Sequence, residues 1–218
     1  MFKLITAEEA AAMIEPHSRV AIGGFLAVGA PETIIDAIVA AGTKDLHMIV
    51  IASDWENRGV GKLVVNHQLK SAQVSHTGTN REIQNQMNSG EIKVELIPQG
   101  TLMERCRAYG TGLGGILTPT GLGTVVQEGK QIINIDGKDY ILEPAIPSDF
   151  AIIRAWKADK AGNLIYRKTA RNSNPIMAMA GRTTIAEVDE IVEAGELDPE
   201  QIVTPGIFVN YIIMSKEN

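Results

Sequence analysis

The chain has 218 residues, of which 44% are hydrophobic and 21% are charged, and its formal net charge is −6. This composition can fill the core of an ordinary globular domain, whereas the negative charge argues against non-specific binding to nucleic acid or to an anionic membrane, because both require a positive field. The sequence contains one cysteine, no apolar run near the roughly 18 residues that cross a bilayer, and two glutamates where a signal peptide would be apolar, so we expect a cytoplasmic protein without disulfides.

Helix and strand signals alternate along the chain. Thr6 and Glu9 have the spacing of a capping box, which predicts a first helix that runs to about Ile14. The segment "RVAIGGF" is typical of a buried strand that ends at paired glycines, and "PETIIDAIVAAG" is typical of a helix that starts at a proline and stops at Gly42. The segment "DLHMIVIAS" predicts the next strand. Further strands are predicted at 71–75, 93–97, 150–155, 183–188 and 207–213, and further helices at 80–89, 101–109 and 174–180.

The order of these elements indicates the fold class. Alternation of helices with almost continuously apolar strands predicts a parallel sheet that is covered on both faces. One segment departs from this rhythm, because Asp136-Gly137 lies between two β-rich runs and predicts a type I′ hairpin. We therefore expect an open, mostly parallel, doubly wound α/β fold with α/β/α layers and a small inserted β-hairpin. No linker or repeat divides the chain, so residues 1–218 are interpreted as one domain.

Several short motifs do not fit the structural context that their chemistry requires. The glycines at 110–115 match G-x-G-x-x-G, but they follow a predicted helix, whereas a dinucleotide fingerprint follows a strand. The segments "RGVGKL" and "QEGKQ" lack the register of a phosphate loop. The four histidines show no H-x-x-x-H spacing, and one cysteine cannot build a thiolate site, so nothing in the sequence requires a metal.

The segment "IGGFLAVGAPE", residues 22–32, is the first candidate site. It lies at the carboxyl end of a predicted strand, where α/β sheets bind ligands. Gly23 and Gly24 allow a ligand to approach the backbone, and free N–H groups of the following helix would favour an anion such as a phosphate. The alternative interpretation is a tight strand-to-helix turn that binds nothing.

The segment "PQGT" is the second candidate. Gln99 follows a strand, and its amide can donate to a carbonyl oxygen without taking part in proton transfer, which suits an oxyanion stabiliser; a simple loop cap is the alternative. Glu104 has Arg107 three residues later, and we interpret it as half of a surface ion pair and not as a nucleophile. The amides and hydroxyls of "TARNSNP", residues 169–175, fit either a turn or a polar ligand site.

Taken together, these segments resemble the α (A) subunit of family I CoA-transferases, the 3-oxoacid or acetate/butyrate–acetoacetate type. "GGFLAVGAP" is similar to that family's G-G-F-x-x-x-G-x-P signature. Further blocks resemble the family in the same order along nearly the whole chain: "SHTGTN" (75–80), "PQGTLMERCRAYGTGLGG" (98–115), "LTPTGLGTVVQEGK" (117–130), "ARNSNP" (170–175) and "VTPGIFV" (203–209).

The resemblance implies half of an enzyme that moves CoA from a short-chain acyl-CoA to a free carboxylate. In that family a glutamate of the homologous β subunit carries CoA as a glutamyl-CoA thioester, so we expect a β partner in an α₂β₂ or larger assembly, CoA thioesters as substrates, and no permanently bound cofactor. Gln99 matches the residue that contributes to the oxyanion site. The residues that match the CoA-binding loop are Gly23, Gly24, Phe25, Leu26, Ala27, Val28 and Gly29.

Some properties stay open at this stage. Many relatives carry an Asn-Asp pair after the second strand, where an ungapped alignment places Ile51-Ala52, so acyl preference can differ. A CoA-transferase for a branched, hydroxylated or dicarboxylic acid, and a ligand-sensing module of the same fold, are the alternative functions. Charge alone offers four candidates for holding the CoA phosphates, namely Arg105, Arg107, Lys62 and Arg171.

Overall fold

The computed structural model describes residues 2–216. The helices are α1 (Ala7–Met13), α2 (Glu32–Ala41), α3 (Gly61–Val65), α4 (Arg81–Ser89), α5 (Gln99–Gly110) and α6 (Asn174–Ala180). The strands are β1 (Lys3–Leu4), β2 (Arg19–Ile22), β3 (Leu46–Ala52), β4 (Leu69–His76), β5 (Lys93–Leu96), β6 (Gly115–Thr118), β7 (Ile132–Ile135), β8 (Lys138–Pro144), β9 (Ser148–Arg154), β10 (Lys157–Asp159), β11 (Leu164–Ile165), β12 (Gly181–Val188), β13 (Glu190–Val192) and β14 (Tyr211–Met214).

Eight strands form the central sheet in the order β1-β14-β12-β9-β2-β3-β4-β5. Every neighbouring pair in this sheet is parallel, so the carboxyl ends of all its strands lie at one edge. Because β2 pairs with β9 on one side and with β3 on the other, the loop that follows β2 leaves the middle of that edge.

Helices cover both faces of the sheet, which confirms the predicted doubly wound α/β architecture. Alternate residues of each strand point to opposite faces, so Val20 and Ile22 belong to the apolar layer under α1 to α4, whereas Ala21 belongs to the layer under α5 and α6. The continuous apolar runs of β2, β3 and β9 are explained by this burial on both faces.

The inserted antiparallel segment is larger than the predicted hairpin. Asp136 and Gly137 form the turn between β7 and β8 with positive φ angles of 50° and 78°, as a type I′ turn requires. However, β6 pairs with the other side of β8, which gives a three-stranded sheet. A second small sheet, β11-β10-β13, was not predicted, because its strands have only two or three residues each.

The local signals at helix ends agree with the structure. The Thr6 hydroxyl accepts from Glu9 N–H at 3.1 Å, and the Glu9 carboxylate accepts from Thr6 N–H at 2.8 Å, so the predicted capping box is present. The strand predicted at 207–213 begins only at Tyr211, because Pro205 and Gly206 start a 3₁₀ turn there. Within residues 2–216, no helix combines the length and the apolar character needed to cross a membrane.

Candidate functional site

The two segments singled out in the sequence lie at the same edge of the sheet. The glycine loop, defined here as residues 23–30, follows β2, and Gln99 follows β5 as the first residue of α5. Two strands, β3 and β4, separate β2 from β5, which at the usual spacing of about 4.8 Å puts the two segments about 14 Å apart along the edge. The loops that follow β3 and β4 lie between them.

The tip of the glycine loop is a tight turn made by residues other than glycine. Phe25 and Val28 exchange both backbone hydrogen bonds, at 3.1 and 3.0 Å. The two residues between them, Leu26 and Ala27, have φ angles of 49° and 64°. This left-handed region is unfavourable for residues with a Cβ, and such strain persists only where surrounding contacts hold it.

The "TARNSNP" segment supplies some of the contacts that hold the glycine loop in this conformation. Asn174 is fully buried; its Nδ2 donates to Gly29 O at 3.0 Å, and its Oδ1 accepts from Arg154 N–H at 2.9 Å. The Ser173 hydroxyl accepts from Gly24 N–H at 2.9 Å and donates to Gly24 O at 3.0 Å. The ambiguity of this segment is thereby resolved for these two side chains, because their hydrogen-bonding groups fasten the glycine loop.

Asp54, at the end of β3, fastens the loop from the other side. It is 2% exposed, and its carboxylate accepts from Ala27 N–H at 2.9 Å and from Val60 N–H at 3.1 Å. Burial raises the pKa of Asp54 to about 6, although these two hydrogen bonds lower it. Ile51 and Ala52, by contrast, are buried within β3, so the polar pair at the strand end is Ser53-Asp54.

The expectation that free N–H groups of α2 would receive an anion is wrong. Those groups already bind an internal carboxylate, because Glu187 of β12 accepts from Thr33 N–H at 2.9 Å and from Ile34 N–H at 3.3 Å. The same buried carboxylate accepts from the Thr33 hydroxyl at 3.0 Å and from the Arg154 guanidinium at 2.6 Å. The dipole of α2 is therefore compensated inside the protein.

Backbone donors remain in the glycine loop itself. Leu26 N–H and Gly29 N–H make no hydrogen bond with another residue of the described part of the chain, and neither residue is fully buried. The other six N–H groups of the loop donate to acceptors within the protein. In chain order from Gly23 to Ala30, these acceptors are Ile152 O, Ser173 Oγ, Val28 O, Asp54 Oδ1, Phe25 O and Ala27 O. Two amides of the loop are thus left for a ligand.

Gln99 is exposed, and its side chain makes no hydrogen bond among residues 2–216. Its amide is therefore available to a ligand or to a partner chain. Glu104 lies five residues later in α5, and its carboxylate accepts from Arg107 Nε at 2.8 Å, which confirms the predicted surface ion pair. A cavity of about 530 Å³ lies beside this part of α5 and is closed on its other side by β6.

A second cavity, of about 660 Å³, lies where the loops after β3 and β4 meet, between the glycine loop and Gln99 in the order of the strands. Its lining is mostly polar: Trp55, Glu56, Asn57, Gly78, Thr79, Arg81 and Gln84. Arg81 is exposed and forms no ion pair with the described residues. The edge of the sheet thus offers backbone amides, a neutral side-chain amide and a polar cavity in one row.

This arrangement offers hydrogen-bond donors that can bind an anionic ligand and stabilise an oxyanion. It offers no metal centre in the described residues, since no three His, Cys, Asp or Glu side chains come together there. Sequence reasoning missed the roles of Asp54 and Glu187. A glutamate inside the apolar run of β12 was the available signal, because a buried charge is kept only when it is paired.

Comparison with known proteins gives consistent matches over nearly the whole chain. The profile of the family described as "Coenzyme A transferase" matches residues 4–215. The chain is 45% identical to the alpha subunit of the acetate CoA-transferase of Escherichia coli K12 over 216 residues, which cover 99% of this chain and 98% of that one. It is 49% identical to one subunit of the probable succinyl-CoA:3-ketoacid coenzyme A transferase of Bacillus subtilis 168, covering 97% and 89% of the two chains.

Among solved structures, an acyl-CoA transferase of Escherichia coli O157:H7 in a thioester complex with CoA superimposes with a TM-score of 0.86 at 23% identity. The match covers 98% of this chain and 47% of that one, and at this identity it supports the fold alone. The resemblance noted in the sequence is confirmed by the family profile and by the two bacterial relatives. The chain belongs to the coenzyme A transferase family.

Proposed function

We propose that this chain is the α subunit of a heteromeric CoA-transferase that moves CoA from a short-chain acyl-CoA to a free carboxylate of the acetate, butyrate or acetoacetate type. Relatives that are named as alpha subunits of such transferases support the heteromeric form. The enzyme pairs this chain with a β subunit, in an α₂β₂ or larger assembly in the cytoplasm. CoA thioesters are its substrates and not permanently bound cofactors.

The proposal rests on one observation: among the described residues, the edge of the sheet holds hydrogen-bond donors but no carboxylate that is positioned as a nucleophile. The Asp54 carboxylate is buried under two backbone N–H groups, and Glu104 is paired with Arg107. Glu56 lines the larger cavity, but it is exposed, and its carboxylate has no hydrogen bond that positions it among the residues described. A nucleophilic carboxylate needs a fixed near-attack geometry, which the partner's glutamate supplies.

The proposed reaction assigns this chain the stabilising part. The partner's glutamate attacks the thioester carbonyl and expels CoA thiolate; the thiolate then attacks the glutamyl carbonyl and releases the original acyl group as its carboxylate. The acceptor carboxylate reverses these steps on the glutamyl-CoA thioester. Each addition puts negative charge on a carbonyl oxygen, which the neutral amide of Gln99 stabilises while the glycine loop, Gly23 to Gly29, binds CoA.

The first test is a transfer assay with acetoacetate and a short acyl-CoA, on this chain alone and mixed with its β partner. We expect activity only in the mixture, and the mass of CoA less one water on the β partner once it has been incubated with acyl-CoA alone. Glu56→Gln tests the nearest alternative, which is that Glu56 itself is the nucleophile. If the β partner supplies the nucleophile, this variant should keep the activity of the mixture. Transfer activity of this chain alone would overturn the assignment of the nucleophile to the β partner. Loss of the mixture's activity in Glu56→Gln would overturn it as well.

The role of Gln99 is tested separately. Removal of one oxyanion donor typically lowers the rate by about 100- to 1,000-fold, so Gln99→Ala should lower kcat by that factor without weakening assembly with the β partner. Glu104→Gln, five residues further along the same helix, is the matched control and should keep kcat within about twofold, since an exposed ion pair contributes little. An unchanged kcat in Gln99→Ala would exclude the oxyanion role.

A second acceptor class is favoured by the lining of the larger cavity. The guanidinium of Arg81, which has no ion pair among residues 2–216, suits a dicarboxylic acid, because guanidinium groups bind carboxylates through paired hydrogen bonds. Arg81→Gln should then raise KM for such an acid while leaving KM for acetate unchanged. A parallel change for both acids would remove Arg81 from substrate recognition.

A further inference from the structure

The structure separates the four basic residues that charge alone had made candidates for holding phosphates. Lys62 pairs with two carboxylates of α2, at 2.7 and 2.5 Å. Arg107 pairs with the glutamate one turn earlier, and Arg105 is 8% exposed, with its guanidinium 3.3 Å from Glu143. Arg171 is exposed and has no ion pair in the described part of the chain. Of the four candidates, Arg171 therefore keeps its charge available to a ligand.

Arg171 belongs to a segment that lies against the tip of the glycine loop. Asn172 Nδ2 donates to Val28 O at 2.9 Å. Ala170 lies so close to Gly29 that a Cβ on the glycine would come within 2.9 Å of the Ala170 backbone. Lys168 begins the same 3₁₀ turn with a φ of 53°, and it is exposed and unpaired among residues 2–216.

A third cation, Arg58, lies on the opposite flank of the tip. The next residue, Gly59, lies beside the tip, because a Cβ there would be in ordinary contact with Ala27 Cβ, at 3.4 Å. Arg58 is exposed and without an ion pair in the part of the chain described. Ala27 and Gly29 are two residues apart, at most about 7 Å between Cα atoms, so side chains of arginine length on both flanks can reach one phosphate group.

The local charge and the backbone both favour an anion at this tip. Of the carboxylates nearby, Asp54 is buried with both oxygens bonded and Glu32 is paired with Lys62, whereas Glu56 is exposed two residues before Arg58. Leu26 N–H and Gly29 N–H have no acceptor among the described residues. Free amides and basic side chains both favour a bound anion.

We propose that Arg58, Lys168 and Arg171, with the N–H groups of Leu26 and Gly29, form a phosphate-binding rim for the phosphate groups of the CoA substrate. This inference rests on the proposed function, because it names the part of the thioester substrate that the glycine loop recognises. Strain supports it independently: Leu26, Ala27 and Lys168 all adopt left-handed backbone within these two contacting segments, and strain of this kind concentrates at ligand clamps.

The test compares two donors in the αβ complex, an acyl-CoA and the corresponding acyl-pantetheine, which carries the thioester without phosphates. Arg58→Gln and Arg171→Gln should each raise KM for acyl-CoA by roughly tenfold, the effect of losing one hydrogen bond to a charged group, and leave kcat unchanged. Lys168→Asn should act in the same direction, and asparagine tolerates the left-handed backbone of that position. Kinetics with acyl-pantetheine should be the same in all variants.

Arg182→Gln is the matched control. Arg182 is exposed and unpaired in the described residues, but it lies near the amino end of β12, at the opposite edge of the sheet. This variant should keep the KM for acyl-CoA. Unchanged KM in the three rim variants, or equal losses with acyl-CoA and acyl-pantetheine, would overturn the inference while leaving the transferase assignment intact.

Calorimetric titration of the complex with CoA separates failure of the inference from failure of the proposed function. If no transfer is detected with any donor, weaker CoA binding in the three rim variants, with binding retained in Arg182→Gln, still supports the rim. Equal CoA binding in all variants, or none in the unsubstituted complex, would reject it.

Discussion

Replacing Gly23 with alanine would place a methyl group where the Asn174 amide already lies. A Cβ at position 23 would be 2.7 Å from Asn174 Cγ and still closer to its oxygen. Ile153 Cα already lies at contact distance from the same point, 3.4 Å, so the new methyl group has little space around it. The Asn174 side chain must therefore leave its position.

The cost follows from the contacts that Asn174 makes there. Its amide forms three hydrogen bonds, with Arg154 N–H at 2.9 Å, Gly29 O at 3.0 Å and Ala170 O at 2.7 Å. At about 1 kcal/mol for each bond, with a further penalty where a buried N–H stays unsatisfied, Gly23→Ala should lower the free energy of unfolding by about 3 to 5 kcal/mol. That is a large part of the roughly 5 to 15 kcal/mol that stabilises a typical domain.

Urea unfolding followed by far-ultraviolet circular dichroism measures this change, with Gly100→Ala as the control. Nothing lies within 4 Å of a Cβ at Gly100, which is in the first turn of α5, so that variant should be unchanged or stabilised by up to about 1 kcal/mol. The double variant Gly23→Ala/Asn174→Ala should lose less than the sum of the single losses, because the second change removes the overlap. A loss below about 1 kcal/mol in Gly23→Ala would refute the reasoning.

Three further predictions concern buried groups. The pKa of Asp54 is raised from 3.8 to about 6, so the folded state binds the proton of its carboxyl group more tightly than the unfolded state does. The wild type should therefore lose stability relative to Asp54→Asn as the pH rises from 3.8 to 6, and the difference should stay level above pH 6. Urea unfolding at several pH values across this range measures the change. A pH-independent difference would contradict this. Glu187→Gln should lower the free energy of unfolding by about 1 to 3 kcal/mol, because Arg154 keeps only its pair with Asp189 and a buried amide cannot accept from every donor that the carboxylate binds; no loss would argue against it. Cys106 is fully buried, which raises the pKa of its thiol to about 12. A thiol reagent at pH 8 should therefore label it only after urea unfolding. Rapid labelling of the native chain would be inconsistent with this burial.

Much of the fold could be predicted from the sequence because its signals are local. The capping box at Thr6, the Asp136-Gly137 turn and the apolar strands each depend on residues a few positions apart, and each occurs as predicted. Gln99 and the glycine loop were placed correctly at strand ends for the same reason. The strand predicted at 207–213 was too long, because a proline-glycine turn outweighed the apolar character of its first residues.

The sequence by itself determined the two-faced parallel sheet, the family and the position of the glycine loop, since periodicity and motif order are properties of the chain alone. Only the tertiary structure decided which donors remain for a ligand. Glu187 lies 154 residues from Thr33 and occupies the helix terminus that had seemed open, and Asn174 lies 145 residues from Gly29. Contacts across such separations depend on strand order, which local patterns do not specify, and strand order brings Arg171 to the loop tip while Arg105 is buried.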